Sequence, residues 1–180
     1  GNEIRGHSRL VQRSVFVIDD RGTVRYAWTA EETSQLPDLS AVREAVDSIQ
    51  DDRSAIERYQ EAHDHFQYGQ SEHESALTAF ADEEWHVAAE AFGEAEYYFE
   101  EAETGFDTAQ RFAESDNISR AGDRAKQKAN HYRQSARWYA GAARRHADGE
   151  TAAARDAADD AEAALDRARG MEPIPDLYSF

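Results

Sequence analysis

Two short stretches near the start of the chain carry the hydrophobic pattern of β-strands. Val15 to Ile18 is an unbroken apolar run ending at Asp19, which is typical of a strand buried on both faces. Val24 to Trp28 alternates apolar with polar or small residues, as half-buried strands do. The intervening "DDRG" supplies a tight turn, with Gly22 where a positive φ is needed. The sequence therefore predicts a β-hairpin. Since nothing else in the chain resembles a strand and a lone hairpin is marginal in water, we expect the remaining strands to lie outside this sequence.

The rest of the chain has the 3.6-residue periodicity of helices, so the predicted fold class is mainly α. A first helix, capped by Asp38 or Ser40, has an apolar face of Val42, Val46 and Ile49 and ends near Gln50. Four long helices are predicted beyond it, over roughly 53–80, 83–114, 118–146 and 150–169. Internal glycines are expected to kink or interrupt the first two.

An internal repeat relates these helices in pairs at an offset of 66 residues. "FADEEWHVAAEAFGEAEYYFEEA" aligns with "HADGETAAARDAADDAEAALDRA", and His65-Phe66 aligns with His131-Tyr132. Small residues at these spacings allow close helix packing and resemble the helix pairs of tetratricopeptide-like repeats. The architecture is therefore either a four-helix antiparallel bundle or two such helical hairpins. Alanine periodicity alone can also produce an alignment of this kind.

Composition narrows the setting of the protein. The 180 residues hold 37 acidic and 20 basic side chains, a net charge of −17, and no cysteine. Only two of the bases, Lys126 and Lys128, are lysines. This acid-rich, arginine-over-lysine usage resembles that of halophile proteins, in which salt screens self-repulsion. It disfavours binding to nucleic acid or to anionic membranes. No segment is predicted to span a membrane or act as a secretory leader, so we expect a cytoplasmic location.

The charges are unevenly distributed between the predicted helices. Residues 51–116 carry about −16 and residues 117–147 about +7. The basic block could form an RNA or phosphate site, but an internal face complementary to the acidic second helix is the stronger interpretation. The bases in question are Arg120, Arg124, Lys126, Lys128, Arg133, Arg137, Arg144 and Arg145.

The segment "NEIRGHSRLVQRSVFVIDDRGTVRYAWTAEETSQLPDLSAVREAV", residues 2–46, resembles the C-terminal third of a peroxiredoxin. The likeness is to the AhpC/TSA thiol-peroxidase superfamily, especially the bacterioferritin-comigratory type of halophilic archaea. That family has an arginine just before a strand of the form S/T-x-F-V-I-D, then a turn ending in glycine, a second strand with V-x-Y, and a terminal helix. Arg13, Ser14 to Asp19, Gly22 and Val24 to Trp28 occupy these positions in order.

The resemblance implies a partial thioredoxin-like α/β fold and an antioxidant role in peroxide reduction, with a peroxide and a thiol reductant as partners and no cofactor. It also implies that Arg13 is a catalytic residue that stabilises a peroxidatic thiolate and orients the peroxide, which suits a permanently charged guanidinium. The family's Pro-x-x-x-Thr-x-x-Cys segment is absent from this chain, so we expect it upstream in a longer parent. The chain alone is then inactive. The alternative is a non-catalytic helical interaction module that carries a degenerate peroxiredoxin remnant.

The predicted domains are a peroxiredoxin-like fragment (1–50), a helical bundle (51–170) and a C-terminal tail (171–180). A protein partner is expected to bind through the helices, and homo-oligomer formation is left open. The tail could dock on the bundle, bind a partner or fray.

Two further features were weighed as sites. Glu83 and His86 have the i, i+3 spacing of di-iron bundles but lack the required second copy, so no metal site is predicted. Helical aromatic residues are interpreted as core: Tyr59, Phe66, Phe80, Trp85, Phe92, Tyr97, Phe99, Phe106, Phe112, Trp138 and Tyr139.

Overall fold

The computed structural model describes residues 13–19, 22–32 and 34–176. The chain divides into two compact units, Gly1–Gln50 and Asp51–Phe180. The elements are β1 (Ser14–Ile18), β2 (Val24–Thr29), α1 (Leu39–Ala81), α2 (Trp85–Phe112), α3 (Asp116–Ala147) and α4 (Thr151–Gly170). The fold is mainly helical with one β-hairpin, as predicted.

The hairpin has the predicted turn and antiparallel pairing. Gly22 adopts φ +81°, a conformation that a side chain would strain. The register pairs Val15 with Trp28 and Val17 with Tyr26 on one face, and an irregularity between Val17 and Ile18 precedes the turn. No further strand is present in the described part of the chain, so β1 and β2 form a two-stranded sheet.

Helix α1 is longer than predicted because it does not end near Gln50. It begins after Asp38, whose Oδ1 accepts the amide N–H of Ser40 at 2.9 Å, and it continues to Ala81 without a break. The prediction of a separate helix ending near Gln50 is therefore wrong. The residues around Gln50 include neither proline nor glycine, so no local feature stops the helix.

The internal glycines allow close helix packing and do not break the helices. A Cβ atom at Gly105 would lie 2.7 Å from Cβ of Ala62, and one at Gly69 would lie 2.8 Å from Cε1 of Phe99. Both separations are shorter than van der Waals contact. Glycine at these two positions therefore lets α1 and α2 approach closely, and the predicted kinks there are wrong.

The core is built of layers that repeat every seven residues along each helix, the spacing of left-handed supercoiled bundles. Each of three layers takes one ring from α1, one from α2 and one from α3, with all centroids 4.2–6.1 Å apart. The layers are Phe66 with Phe99 and Tyr132, His73 with Phe92 and Tyr139, and Phe80 with Trp85 and His146. A fourth layer pairs Tyr59 with Phe106 at 4.9 Å. Helices α1 and α2 are therefore antiparallel, whereas α1 and α3 are parallel.

The two halves of the helical region meet at equivalent positions. Phe66 contacts Tyr132, and Phe80 contacts His146, each pair separated by the 66-residue offset. Burial follows the same offset. Residues buried in both halves include Ala55 and Ala121, Gly69 and Ser135, Ala76 and Ala142, Ala88 and Ala154, Ala95 and Ala161, Phe99 and Leu165, and Ala102 and Ala168.

The two helix-to-helix turns match hydrogen bond for hydrogen bond. In the first turn, the N–H groups of residues 82, 83 and 84 donate to the carbonyls of 78, 80 and 79, at 3.0, 3.2 and 2.9 Å. In the second, residues 148, 149 and 150 donate to 144, 146 and 145, at 3.0, 3.0 and 2.8 Å. The central residues, Glu83 and Gly149, have φ of 59° and 81°. Alanine periodicity cannot produce this coincidence in turns, so the geometry supports an internal duplication.

Most of the predicted aromatic core is confirmed, with three corrections. Tyr97, Phe112 and Trp138 are exposed. Tyr97 and Trp138 lie one residue outside the seven-residue positions taken by Tyr98 or Phe99 and by Tyr139. Phe112 is the last residue of α2, beyond the final layer. An aromatic side chain is therefore internal here only where the helix turns it toward the seam.

Candidate functional site

Arg13, the site residue implied by the peroxiredoxin resemblance, lies immediately before β1. Its carbonyl accepts the amide N–H of Ala30 at 2.8 Å, which extends the hairpin pairing by one residue. Its Nη2 donates to the carbonyl of Gln35 at 3.3 Å, and the residue is exposed. The hairpin thus fixes the main chain of Arg13 while the guanidinium remains accessible. No cysteine exists in the 180 residues, so the chain itself provides no thiolate for this cation to stabilise.

The other polar groups of the hairpin stabilise its turn and open end. Asp19 accepts the amide N–H of Thr23 at 2.8 Å and pairs with Nε of Arg25 at 2.9 Å. The hydroxyls of Ser14 and Thr29 lie 3.0 Å apart across the strands. These contacts account for the hairpin's local geometry.

The two faces of the hairpin differ in burial. Val15, Val17, Tyr26 and Trp28 share one face and are half-buried. Phe16 and Ile18 point to the other face, and both are more than half exposed. Both faces are thus apolar, which is typical of a strand pair in a layered sheet.

In the helical region, one buried polar pair was not anticipated from the sequence. His73 is 2% exposed and Ser135 is fully buried, and the His73 Nε2 lies 3.2 Å from the Ser135 Oγ. Burial, with the nearby charge of Arg169, lowers the pKa of His73 to about 4, so the imidazole is neutral near pH 7. A serine and a histidine at hydrogen-bonding distance suggest a nucleophile and its base. This pair, however, is enclosed by the rings of Phe92, Tyr132 and Tyr139, so we assign it a packing role.

The sequence offered a signal for His73 through its spacing. It stands seven residues after Phe66 and seven before Phe80, at a core position. Ser135 has no comparable signal, because a lone serine in a basic helix looks solvent-exposed.

Acidic α2 and basic α3 pack together with opposed charges, as predicted. Lys126 Nζ lies 2.6 Å from Asp107 Oδ1, and this hydrogen bond lowers the pKa of Asp107 and raises that of Lys126. Arg133 Nε lies 2.9 Å from Glu103 Oε2, an ion pair whose angle does not make a hydrogen bond. These pairs border a surface groove of about 370 Å³. The basic side chains on this face are thus matched by acids of the same chain, which removes much of the attraction for RNA phosphates.

The weighed metal residues are not arranged as a site. Glu83 lies in the turn before α2 with a positive φ, and both it and His86 are exposed. Among the described residues, no group of three or more histidine, aspartate or glutamate side chains is placed to hold a metal ion.

Comparison with known proteins adds no further constraint: no family model, no curated protein and no solved structure matches the chain. Among the described residues, no helix combines the length and apolarity needed to cross a membrane.

Proposed function

We propose that residues 1–50 are the C-terminal part of a peroxiredoxin-like thiol peroxidase domain, with the helical region as an accessory domain. The observation that carries this proposal is the hairpin with apolar side chains on both faces. A two-stranded sheet is rarely stable unless further strands or helices cover it. In a thioredoxin-like domain such cover is present on both faces of the sheet.

The exposed face gives this argument its weight. Phe16, Ile18 and Val24 are each more than half exposed. Fully burying an apolar side chain of this kind contributes roughly 1.5–3 kcal/mol. A sequence that keeps three of them on one small face is therefore better explained by an additional layer in the intact parent.

The chemistry of the intact parent would need a cysteine from upstream. Its thiolate attacks the terminal peroxide oxygen and the O–O bond breaks, giving a cysteine sulfenic acid and an alkoxide or hydroxide, which takes a proton. A thiol reductant then condenses with the sulfenic acid to form a disulfide and water. Arg13 would lower the pKa of that thiol and orient the peroxide through its fixed charge.

The first test is the coding sequence upstream of Gly1. An open frame that contains Pro-x-x-x-Thr-x-x-Cys supports the proposal, and an open frame without it refutes the enzymatic reading. The 180-residue chain should consume no peroxide with a thiol reductant, whereas the intact parent should.

The second test addresses Arg13 in the intact parent. Arg13→Met should lower kcat/KM for peroxide at least about tenfold, because a charged hydrogen bond to the reacting groups is removed. Arg25→Met is the matched control, since Arg25 pairs with Asp19 within the hairpin. Equal effects of the two variants would show that Arg13 acts only through hairpin stability.

A second candidate function is a non-catalytic protein-interaction module. It is favoured by the duplicated helix pairs, because repeated helical hairpins are common protein-binding scaffolds. Affinity purification with the full chain in high salt tests it. Failure to recover any stable partner, together with peroxidase activity in the intact parent, would contradict it.

A further inference from the structure

The segment that follows α4, residues 171–176, is extended and lies on the helical region. Pro173 and Pro175 prevent it from continuing α4, since proline has no amide donor and restricts the residue before it. Ile174 nevertheless packs against the buried core. The segment is therefore docked without regular secondary structure.

Side chains from two helices hold this segment mainly through its main chain. Lys128 Nζ donates to the carbonyls of Met171 at 3.2 Å and Glu172 at 3.1 Å. Tyr59 OH donates to the carbonyl of Pro175 at 2.9 Å. Because main-chain carbonyls are present in every peptide, these contacts select an extended conformation. They do not depend on the identity of the residue that offers each carbonyl.

Charge and shape add selectivity to this docking. Arg124 Nη1 pairs with Glu172 Oε2 at 2.9 Å, so an acidic residue lies against basic α3. Ile174 between two prolines supplies an apolar contact in an extended, low-entropy backbone. Proline-rich peptides are recognised elsewhere by the same combination of carbonyl contacts and apolar pockets.

The receiving side chains are positioned independently of the segment. Tyr59 is almost fully buried and packs edge-on against Phe106 at 4.9 Å. Lys128 lies seven residues before Ser135 of the buried His73–Ser135 pair, on the continuous helix α3. The surface formed by Tyr59, Arg124 and Lys128, which we term the strap surface, is therefore preformed.

We infer that the strap surface is a binding site for extended, acidic, proline-containing peptides, which residues 171–176 occupy in cis. The inference rests on the second candidate function and adds a location and a ligand class. A tethered segment has an effective concentration near the millimolar range, so it competes with any peptide offered in trans.

The test measures binding of a dye-labelled peptide of residues 171–180, MEPIPDLYSF, by fluorescence anisotropy. Ile174→Asp in the full chain removes the apolar anchor of the tethered segment and leaves the strap surface intact. This variant should bind the peptide at least about tenfold more tightly than the unmodified chain, since the internal competitor is weakened. A variant ending at Gly170 should behave in the same way.

Two further variants test the contacts themselves. In the Ile174→Asp background, Tyr59→Phe should weaken peptide binding about tenfold, the effect of one lost hydrogen bond of good geometry. Tyr68→Phe is the matched control, because Tyr68 is exposed on α1 and contacts Tyr98 of α2. It should leave the affinity unchanged.

Three outcomes would overturn the inference. One is equal peptide affinity for the unmodified chain and the Ile174→Asp variant when circular dichroism shows unchanged helix content. Another is equal weakening by Tyr59→Phe and Tyr68→Phe. The third is loss of helix in both the Ile174→Asp and the truncated variants, which would make the segment part of the core. If the peptide fails to bind while the full chain still captures a stable partner, only the present inference fails and the second candidate function stands.

Discussion

Acidification should destabilise the helical region through His73. Burial lowers the pKa of this histidine from 6.5 to about 4 in the folded protein. The unfolded chain therefore binds a proton between these two pH values that the folded chain does not. The free energy of unfolding should be fully retained above pH 6.5 and should fall as the pH drops from 6.5 toward 4.

The size of the effect follows from the shift. One pKa unit corresponds to about 1.4 kcal/mol, so a shift from 6.5 to about 4 corresponds to about 3 kcal/mol. Such a loss is a large fraction of the stability of an ordinary domain. The groups facing His73 are the Ser135 hydroxyl, the rings of Tyr132 and Tyr139, and the charge of Arg169.

The assay is urea unfolding, followed by circular dichroism at fixed salt between pH 7.5 and pH 4. The many carboxylates also titrate in this range, so the informative quantity is a difference between two proteins. The reference is the double variant His73→Leu/Ser135→Ala, which keeps the volume and leaves no unpaired hydroxyl. The unmodified chain should lose about 3 kcal/mol relative to this variant over the range. A difference that stays constant within about 0.5 kcal/mol would refute the argument.

Three more predictions concern local geometry, each with a matched control and each checked by urea unfolding. Glu83→Gly should stabilise by about 1 kcal/mol, because Glu83 has a left-handed φ of 59°, whereas Gly149→Ala at the equivalent turn should destabilise by a similar amount. Gly105→Ala should destabilise, since its Cβ would meet Ala62 at 2.7 Å, while Gly93→Ala, with open space around it, should stabilise by about 0.5–1 kcal/mol. Asp52→Ala should cost about 3 kcal/mol, because the buried Asp52 accepts the amide N–H groups of Glu114 and Ser115 just before α3; Asp51→Ala, at an exposed position, should change little. A stabilising effect of Gly105→Ala, or equal effects at Asp51 and Asp52, would contradict the packing described above.

The sequence predicted those elements that local chemistry determines. Gly22 and Gly149 mark turns because only glycine adopts their backbone conformations without strain, and Asp38 marks the start of α1 because its carboxylate caps an amide. The opposed charges of α2 and α3 were also predictable, since few other acids or bases compete for those partners.

The misjudged features depend on contacts between distant parts of the chain. Gly69 and Gly105 look like helix breakers until the close approach of α1 and α2 is known. Ser135 looks like a surface residue until α1 places His73 beside it. The role of Arg13 depends on a thiol that this sequence does not contain, so it remains a prediction.

The way the two halves have diverged explains why the chain ends its helical region with a strap. Helix α2 continues for several residues beyond Thr104, far enough to place Phe106 against Tyr59. Helix α4 ends at Gly170, the residue equivalent to Thr104 at the 66-residue offset. Prolines then force an extended path that reaches the Tyr59 hydroxyl. Tyr59 therefore receives a ring from the first half and a main-chain carbonyl from the second. Replacing a helical turn with an extended segment exchanges broad ring packing for a few hydrogen bonds and one apolar anchor, contacts that a peptide in trans can also make.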